Sequence, residues 1–402
     1  MSAAAPFARA PGAFDALREP VYRWWFGSQV LSASGNMAQA VGMSWLVLQL
    51  THRPLDLGLV GAATFGPAAV AGAWAGVLLD RSDHRRILVA TQTLFLTLSL
   101  ALALLVETGA VRLWMVFAIA LGSGFVFAVD APARQVYVVE LVGRERTASA
   151  VSLFEVIVNA SRVLGPATGG VLIAVAGVST CFYVNAASFV PPLYVLLRFR
   201  PRERPRESAS RRGALREGLG YVRRSPAILA CIVMAVASTM LFNLGVALPV
   251  LTTKVFGLGS AGYGALMACF GLGAIPGALV AARAGAWPPG SRVRLLCVLT
   301  GVAVVLTAYA PDAYAAGVGM AVAGFLSIWF IALANTLVQL RTEPRLRGRV
   351  MGVWTMALPG MNPLTGITAG AVTQAVGARV GFALGGLVLL ASAGAGWRAL
   401  AD

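Results

Sequence analysis

Long apolar runs separated by short arginine-bearing breaks recur along the whole chain. They fall at 24–50, 55–79, 87–106, 113–131, 149–176, 179–197, 226–252, 260–282, 293–309, 312–338, 349–376 and 378–397. A helix needs about 20 apolar residues to cross a bilayer, and the runs are of that order. The pattern predicts an all-α membrane protein with twelve transmembrane helices. One long polar break interrupts the series at its middle, where residues 198–224 read RFRPRERPRESASRRGALREGLGYVRR. Ala214 to Val222 is either an amphipathic helix on the inner membrane surface or part of a solvated linker. Six runs precede this break and six follow it. The predicted divisions are a segment 1–23, a six-helix bundle 24–197, a basic linker 198–225 and a second six-helix bundle 226–402.

Composition agrees and narrows the class. Of 402 residues, 58% are hydrophobic and 12% charged, with a mean hydropathy of +0.77. Soluble domains carry about 25% charged residues, so an ordinary cytosolic enzyme, a disordered chain and a secreted disulfide scaffold are all disfavoured. The net charge of +16 suggests nucleic acid until the positions are read. With the N-terminus inside, 27 basic residues fall in inward segments, and only Arg53, Arg112, Lys254 and Arg379 in outward loops. That asymmetry is the positive-inside rule for twelve spans with both termini in the cytoplasm. The charge reads as topology beside anionic lipid, with no nucleic acid implied. Cys181, Cys231, Cys269 and Cys297 lie singly in four spans, and His52 and His84 lie in loops. Neither a metal site nor a cofactor is expected. Met1 to Glu19 lacks the hydrophobic run of a cleavable signal. Trp24, Trp25, Trp114 and Trp397 fit interfacial belts.

The two halves echo one another. Arginine-rich residues ahead of 149–176 lead to a helix carrying Gly165-Pro166 and ending at Ala176-Gly177. About 200 residues on, Arg341 to Arg349 leads to a helix with Asn362-Pro363 that ends at Val376-Gly377. Gly76-Val-Leu-Leu-Asp80 has a worn counterpart at Gly277-Ala-Leu-Val-Ala281. Such duplication implies two homologous bundles with a cavity between them.

Between spans 2 and 3 the chain reads GVLLDRSDHRRIL from Gly76 to Leu88. Gly76 allows close packing, and Asp80 can sit against the positive N-terminus of a helix from the other half, worth about 0.3–2 kcal/mol. The loop is either such a latch or a plain topogenic turn. It resembles motif A of the major facilitator superfamily, GxLaDRxGRK, with Asp83 in the place of a glycine. Gly165-Pro166-Ala-Thr-Gly169-Gly170-Val-Leu is similar to antiporter motif C of the same superfamily. Asp130-Ala-Pro-Ala-Arg134 and Arg345-Leu-Arg-Gly-Arg349 resemble the drug and siderophore exporter group that includes macrolide-efflux and enterobactin-export proteins.

The resemblance implies proton-coupled efflux of a small molecule by a monomer in the inner membrane. It assigns Gly76 to packing and Asp80 to a contact with the start of span 11, and it groups Arg81 and Arg85 with Asp130. Spans 1, 4, 7 and 10 line the cavity in this fold, so Asn36, Gln39, Asn243 and Asn335 are candidate substrate contacts, or else interhelical hydrogen bonds, and Asn159 of span 5 is a further candidate.

Span 5 carries Glu155, Asn159 and Arg162 at i, i+4 and i+7, on one helical face. A charge inside a span is costly unless paired or hydrated. Glu155 is the leading proton-coupling candidate, Asp130 at the inner edge of span 4 the second, and Arg162 their cationic neighbour; a structural Glu155–Arg162 pair is the alternative. An ATP-driven pump would need a G-x-x-x-x-G-K-[ST] loop, which a chain with one lysine, Lys254, does not contain. A membrane enzyme would need paired acids or a histidine centre. A uniporter or an importer on the same fold is the serious rival to export.

Overall fold

The computed structural model describes residues 14–200, 214–242, 244–283, 288–343 and 345–400. Among these residues the secondary structure is helical, without strands. A short 3-10 turn, Asp15–Arg18, precedes α1 (Pro20–Thr51), α2 (Pro54–Arg81), α3 (His84–Glu107), α4 (Leu113–Val142) and α5 (Thr147–Ala176). Then come α6 (Val178–Ser188), α7 (Val190–Arg198), α8 (Ala214–Arg224), α9 (Pro226–Phe242) and α10 (Leu244–Lys254). The chain closes with α11 (Ser260–Arg283), α12 (Gly290–Ala308), α13 (Ala313–Arg341), α14 (Arg347–Val376) and α15 (Ala378–Ala395). Among the described residues, eight stretches are long and apolar enough to cross a membrane, two of them the paired helices Val178–Arg198 and Pro226–Lys254. The remaining long helices α1, α2, α5 and α14 run 28 to 32 residues.

Local chemistry sets the ends. Pro20 opens α1, where its missing N–H costs nothing. Asp312 caps α13 by accepting from the Ala315 N–H at 2.8 Å. α5 and α14 both stop at a glycine in the positive-φ region, Gly177 at 87° and Gly377 at 119°, conformations an L side chain resists. The same stop at equivalent places is the repeat written in backbone.

Packing repeats with it. α2 lies along α4 as α11 lies along α13, and α3 packs on α4 and α6 as α12 packs on α13 and α15. Across the duplication, α2 packs on α14 and α5 on α11. A large apolar core runs through both halves. A smaller one, built on Tyr22, Trp25, Leu88, Tyr137 and Leu196, closes the arginine-rich end of the first half.

Two expectations change. Trp24, Trp114 and Trp397 are exposed, whereas Trp25 is 1% exposed and meets Tyr137 edge-on with ring centroids 5.2 Å apart; it is core, not belt. The described end of the linker, Ala214–Arg224, is a helix, α8, and it docks. Gly218 lies against the Arg349 backbone, Glu217 pairs with Arg349, and Val222 is buried. In the first half the 3-10 turn docks on the start of α5 in the same manner. The Ala16 N–H donates to Ser149 Oγ at 2.9 Å, and Arg146 pairs with Glu19 at 3.4 Å.

Candidate functional site

The loop between α2 and α3 turns without glycine. Asp83 has φ −75° and caps α3, accepting from the N–H groups of Arg85 at 3.0 Å and Arg86 at 3.4 Å. A carboxylate at a helix N-terminus also meets the positive end of the dipole. Arg85 donates through Nε to the Leu196 carbonyl and through Nη2 to that of Leu197 at 3.0 Å, so it anchors the end of α7. Gly76, Asp80 and Arg81 lie on α2, with side chains outside the described residues.

The sequence pattern ended span 4 beside Asp130. α4 instead runs on for 12 residues to Val142, and Asp130 is 2% exposed inside the first half. Its Oδ1 accepts from Thr91 Oγ1 and from Gln92 Nε2, each at 2.7 Å. Its Oδ2 accepts from Arg134, one turn along α4. Arg134 donates a further bond to Gln29 Oε1 on α1. The expected partner Arg85 is engaged at α7, and the cation at Asp130 is Arg134. A buried ion pair holds when hydrogen bonds satisfy what the pairing leaves over, and here α1 and α3 supply them. Closer to the basic end, Glu140 accepts from or pairs with His84 Nδ1 at 2.8 Å. Arg134 and Glu140, on the last turns of α4, and His84, the first residue of α3, read as loop residues because they are polar or charged.

Asn36 and Gln39 converge on Asn185 of α6, absent from the sequence expectations. Asn185 is fully buried, and its Nδ2 donates to Gln39 Oε1 at 2.9 Å, Ser99 Oγ at 3.1 Å and Asn36 Oδ1 at 3.4 Å. The interhelical alternative therefore describes Asn36 and Gln39. Asn335 accepts from Gln339 one turn away on α13. Asn243 lies outside the described residues, as do the side chains of Glu155, Asn159 and Arg162 on α5.

The glycines of 165–170 serve two partners. A Cβ at Gly165 would strike Met37, and one at Gly169 would come 3.1 Å from Ala38 Cα, so this face seats α1. A Cβ at Gly170 would stand 2.6 Å from Gly264 Cα, and one at Gly264 would stand 2.9 Å from the Pro166 carbonyl. That face seats α11 of the other half. At the same end of the molecule Gly58 abuts Gly366, a Cβ at Gly370 would lie 2.8 Å from the Pro54 carbonyl, and the Leu55 N–H donates to Gln374 Oε1 at 3.3 Å. The end opposite the arginines is thus closed by backbone-to-backbone contact between the halves.

Comparison with known proteins matches this architecture. The family model for transmembrane secretion effectors covers residues 11–400. The staphyloferrin A transporter of Staphylococcus aureus (strain NCTC 8325 / PS 47) is 31% identical over 64% of this chain and 66% of its own length, just under two thirds of that relative. The multidrug efflux pump Tap of Mycolicibacterium fortuitum is 28% identical over 87% of this chain and 88% of its own. The enterobactin exporter EntS of Shigella boydii serotype 18 (strain CDC 3083-94 / BS512) is 29% identical over 84% and 81%. Among solved structures, a bacterial homologue of the lysosomal transporter Spinster superposes with a TM-score of 0.73 at 14% identity, covering 94% of this chain and 97% of the other. The nucleoside transporter NupG (D323A mutant) superposes with 0.72 at 13% identity, covering 96% and 100%. The chain belongs to the transmembrane secretion effector family of the major facilitator superfamily, multi-pass integral membrane transporters and not enzymes.

Proposed function

We propose that the protein exports hydrophobic or amphipathic small molecules, of drug, macrolide or siderophore type, by proton antiport with rocking of two halves about a central cavity. Twelve spans cross the inner membrane in this reading, with α6–α7 and α9–α10 each crossing once and α8 resting at the cytoplasmic side. Bundles 24–197 and 226–402 move as units, both termini are cytoplasmic, and the working form is a monomer in contact with anionic lipid.

The observation that carries the coupling is the enclosed Asp130–Arg134 pair. A carboxylate buried in a transporter's helix and matched by one cation can release its proton without leaving a net negative charge buried there. Asp130 therefore ranks ahead of Glu155, with Glu155 and Arg162 as the second pair. Gly76, Asp80 and Arg81 form the cytoplasmic latch towards the start of α14, and the closed end formed by Gly170 and Gly264 is the outer gate. Names of relatives that export a siderophore or drugs support the direction and cargo class.

The test is transport into everted vesicles under an imposed pH gradient, screened with hydrophobic dyes, macrolides and siderophores. Gradient-dependent accumulation that disappears in Asp130→Asn supports the reading. Equal movement with the gradient collapsed contradicts antiport, and loss of coupling only in Glu155→Gln moves the role to span 5.

A further inference from the structure

Charge decides how the two amides around the ion pair must point. Gln92 turns its NH2 to the Asp130 carboxylate, and Gln29 turns its carbonyl to the Arg134 guanidinium. The other end of each amide is then left over. Gln92 Oε1 and Gln29 Nε2, one acceptor and one donor, are buried with no hydrogen-bond partner among the described residues. Ser32 Oγ, one turn from Gln29 on α1, and the Tyr137 hydroxyl on α4 are in the same condition. All four side chains are at most 3% exposed. Leaving one such group unpaired costs about 1–3 kcal/mol, and folded proteins leave few of them. Gln92 Oε1 and Gln29 Nε2 flank the ion pair from α3 and α1, with Ser32 and Tyr137 each about one turn further along α1 and α4, and buried waters bonded to two to four polar atoms are the usual partners of such groups.

The polar atoms also form a column. Asp130, Arg134, Tyr137 and Glu140 follow at i, i+4, i+7 and i+10, one face of α4 over about 15 Å. Glu140 follows Tyr137 one turn along that face and pairs with His84, whose side chain is 21% exposed. The column thus starts at a sealed carboxylate and finishes at solvent on the arginine-rich face.

We infer that this pocket is a hydration site, and that the Tyr137 hydroxyl joins it to His84 and Glu140 as a proton route between Asp130 and the cytoplasm. The route runs inside the first half, apart from the central cavity. Hydration rests on the geometry alone, whereas use as a proton route rests on the antiport reading. A proton leaving the Asp130 carboxyl passes to water, from water to the Tyr137 oxygen as that hydroxyl gives its own proton to the Glu140–His84 pair, and from the part-exposed His84 to solvent. The carboxylate left behind is matched by Arg134.

Radiolytic hydroxyl-radical footprinting of the whole protein in lipid nanodiscs tests the water directly. Tyr137 and Tyr263 are 0% and 1% exposed, but Tyr263 hydrogen-bonds with Ser44. Tyr137 is expected to be labelled at least tenfold faster than Tyr263, and equal labelling overturns the hydration site. The route is tested by infrared spectroscopy after a pH jump, with the Asp130 carboxyl band identified by its loss in Asp130→Asn. Tyr137→Phe keeps the ring that packs on Trp25 and removes the hydroxyl; it is expected to slow protonation of that band at least tenfold. An unchanged rate overturns the route. A carboxyl band that ignores pH overturns the coupling role of Asp130 and the route with it, while the footprint judges the pocket independently.

Discussion

Gly170 and Gly264 meet backbone to backbone across the two halves, so close that a Cβ on either would fall within 2.6 Å of the other's Cα. Small residues let membrane helices approach in this way. Gly170→Leu is expected to prevent closure at this end while leaving each half folded. Transport falls at least tenfold, and a cysteine placed at Gly58 becomes reactive to an impermeant thiol reagent from outside. Unchanged transport and protection would remove this contact from the gate.

Asp130→Asn keeps the shape and the bond from Thr91 and removes the charge that matches Arg134. Gradient-driven export is expected to disappear while downhill cargo movement persists. Asp130→Leu leaves a buried guanidinium without its anion, a loss of about 3–5 kcal/mol in comparable buried pairs, and should lower the thermal midpoint in detergent sharply. Uptake by everted vesicles measures the first, and fluorescence-detected size exclusion after heating measures the second.

Asn185 holds α1, α3 and α6 together through one NH2 group. Asn185→Leu strands buried acceptors and is expected to cost about 1–3 kcal/mol, seen as a lower midpoint with cargo preference intact. A changed cargo preference at an unchanged midpoint would return Asn36 and Gln39 to the substrate cavity.

Asp83→Ala removes the cap of α3, worth about 0.5–2 kcal/mol, whereas Asp83→Gly gives up only a few tenths. The expected order of thermal midpoints is Asp83 above Gly above Ala. Gly at or above the native residue would mean that the turn needs left-handed freedom, not a cap.

The helices were legible because a bilayer demands long apolar runs, and the duplication because Gly177 and Gly377 stop equivalent helices. What stayed hidden has one cause. Hydropathy counts a charged residue as leaving the membrane protein's interior, so Arg134 and Glu140 read as loop and Asp130 as an edge. In the fold Asp130 and Arg134 cancel one another and stay inside. Asn185 was invisible for a related reason: a lone asparagine in an apolar run becomes a hub only when α1 and α3 bring acceptors to it. Asp83 differed from the motif's glycine, and its replacement chemistry, a side-chain cap, emerges only once the turn's φ is known. Trp25 shows the converse, an aromatic at a span end that packs inward on Tyr137.

The central claim is that two halves tilt apart at the end sealed by Gly170 and Gly264 when the buried carboxylate changes its protonation. Spin labels at Arg53, in the α1–α2 loop, and Val376, at the end of α14, report that separation by double electron–electron resonance in nanodiscs. The account predicts a short and a long distance whose ratio shifts with pH, and an Asp130→Asn protein locked at the ratio of the protonated state. A single distance that neither pH nor Asp130→Asn alters would contradict it.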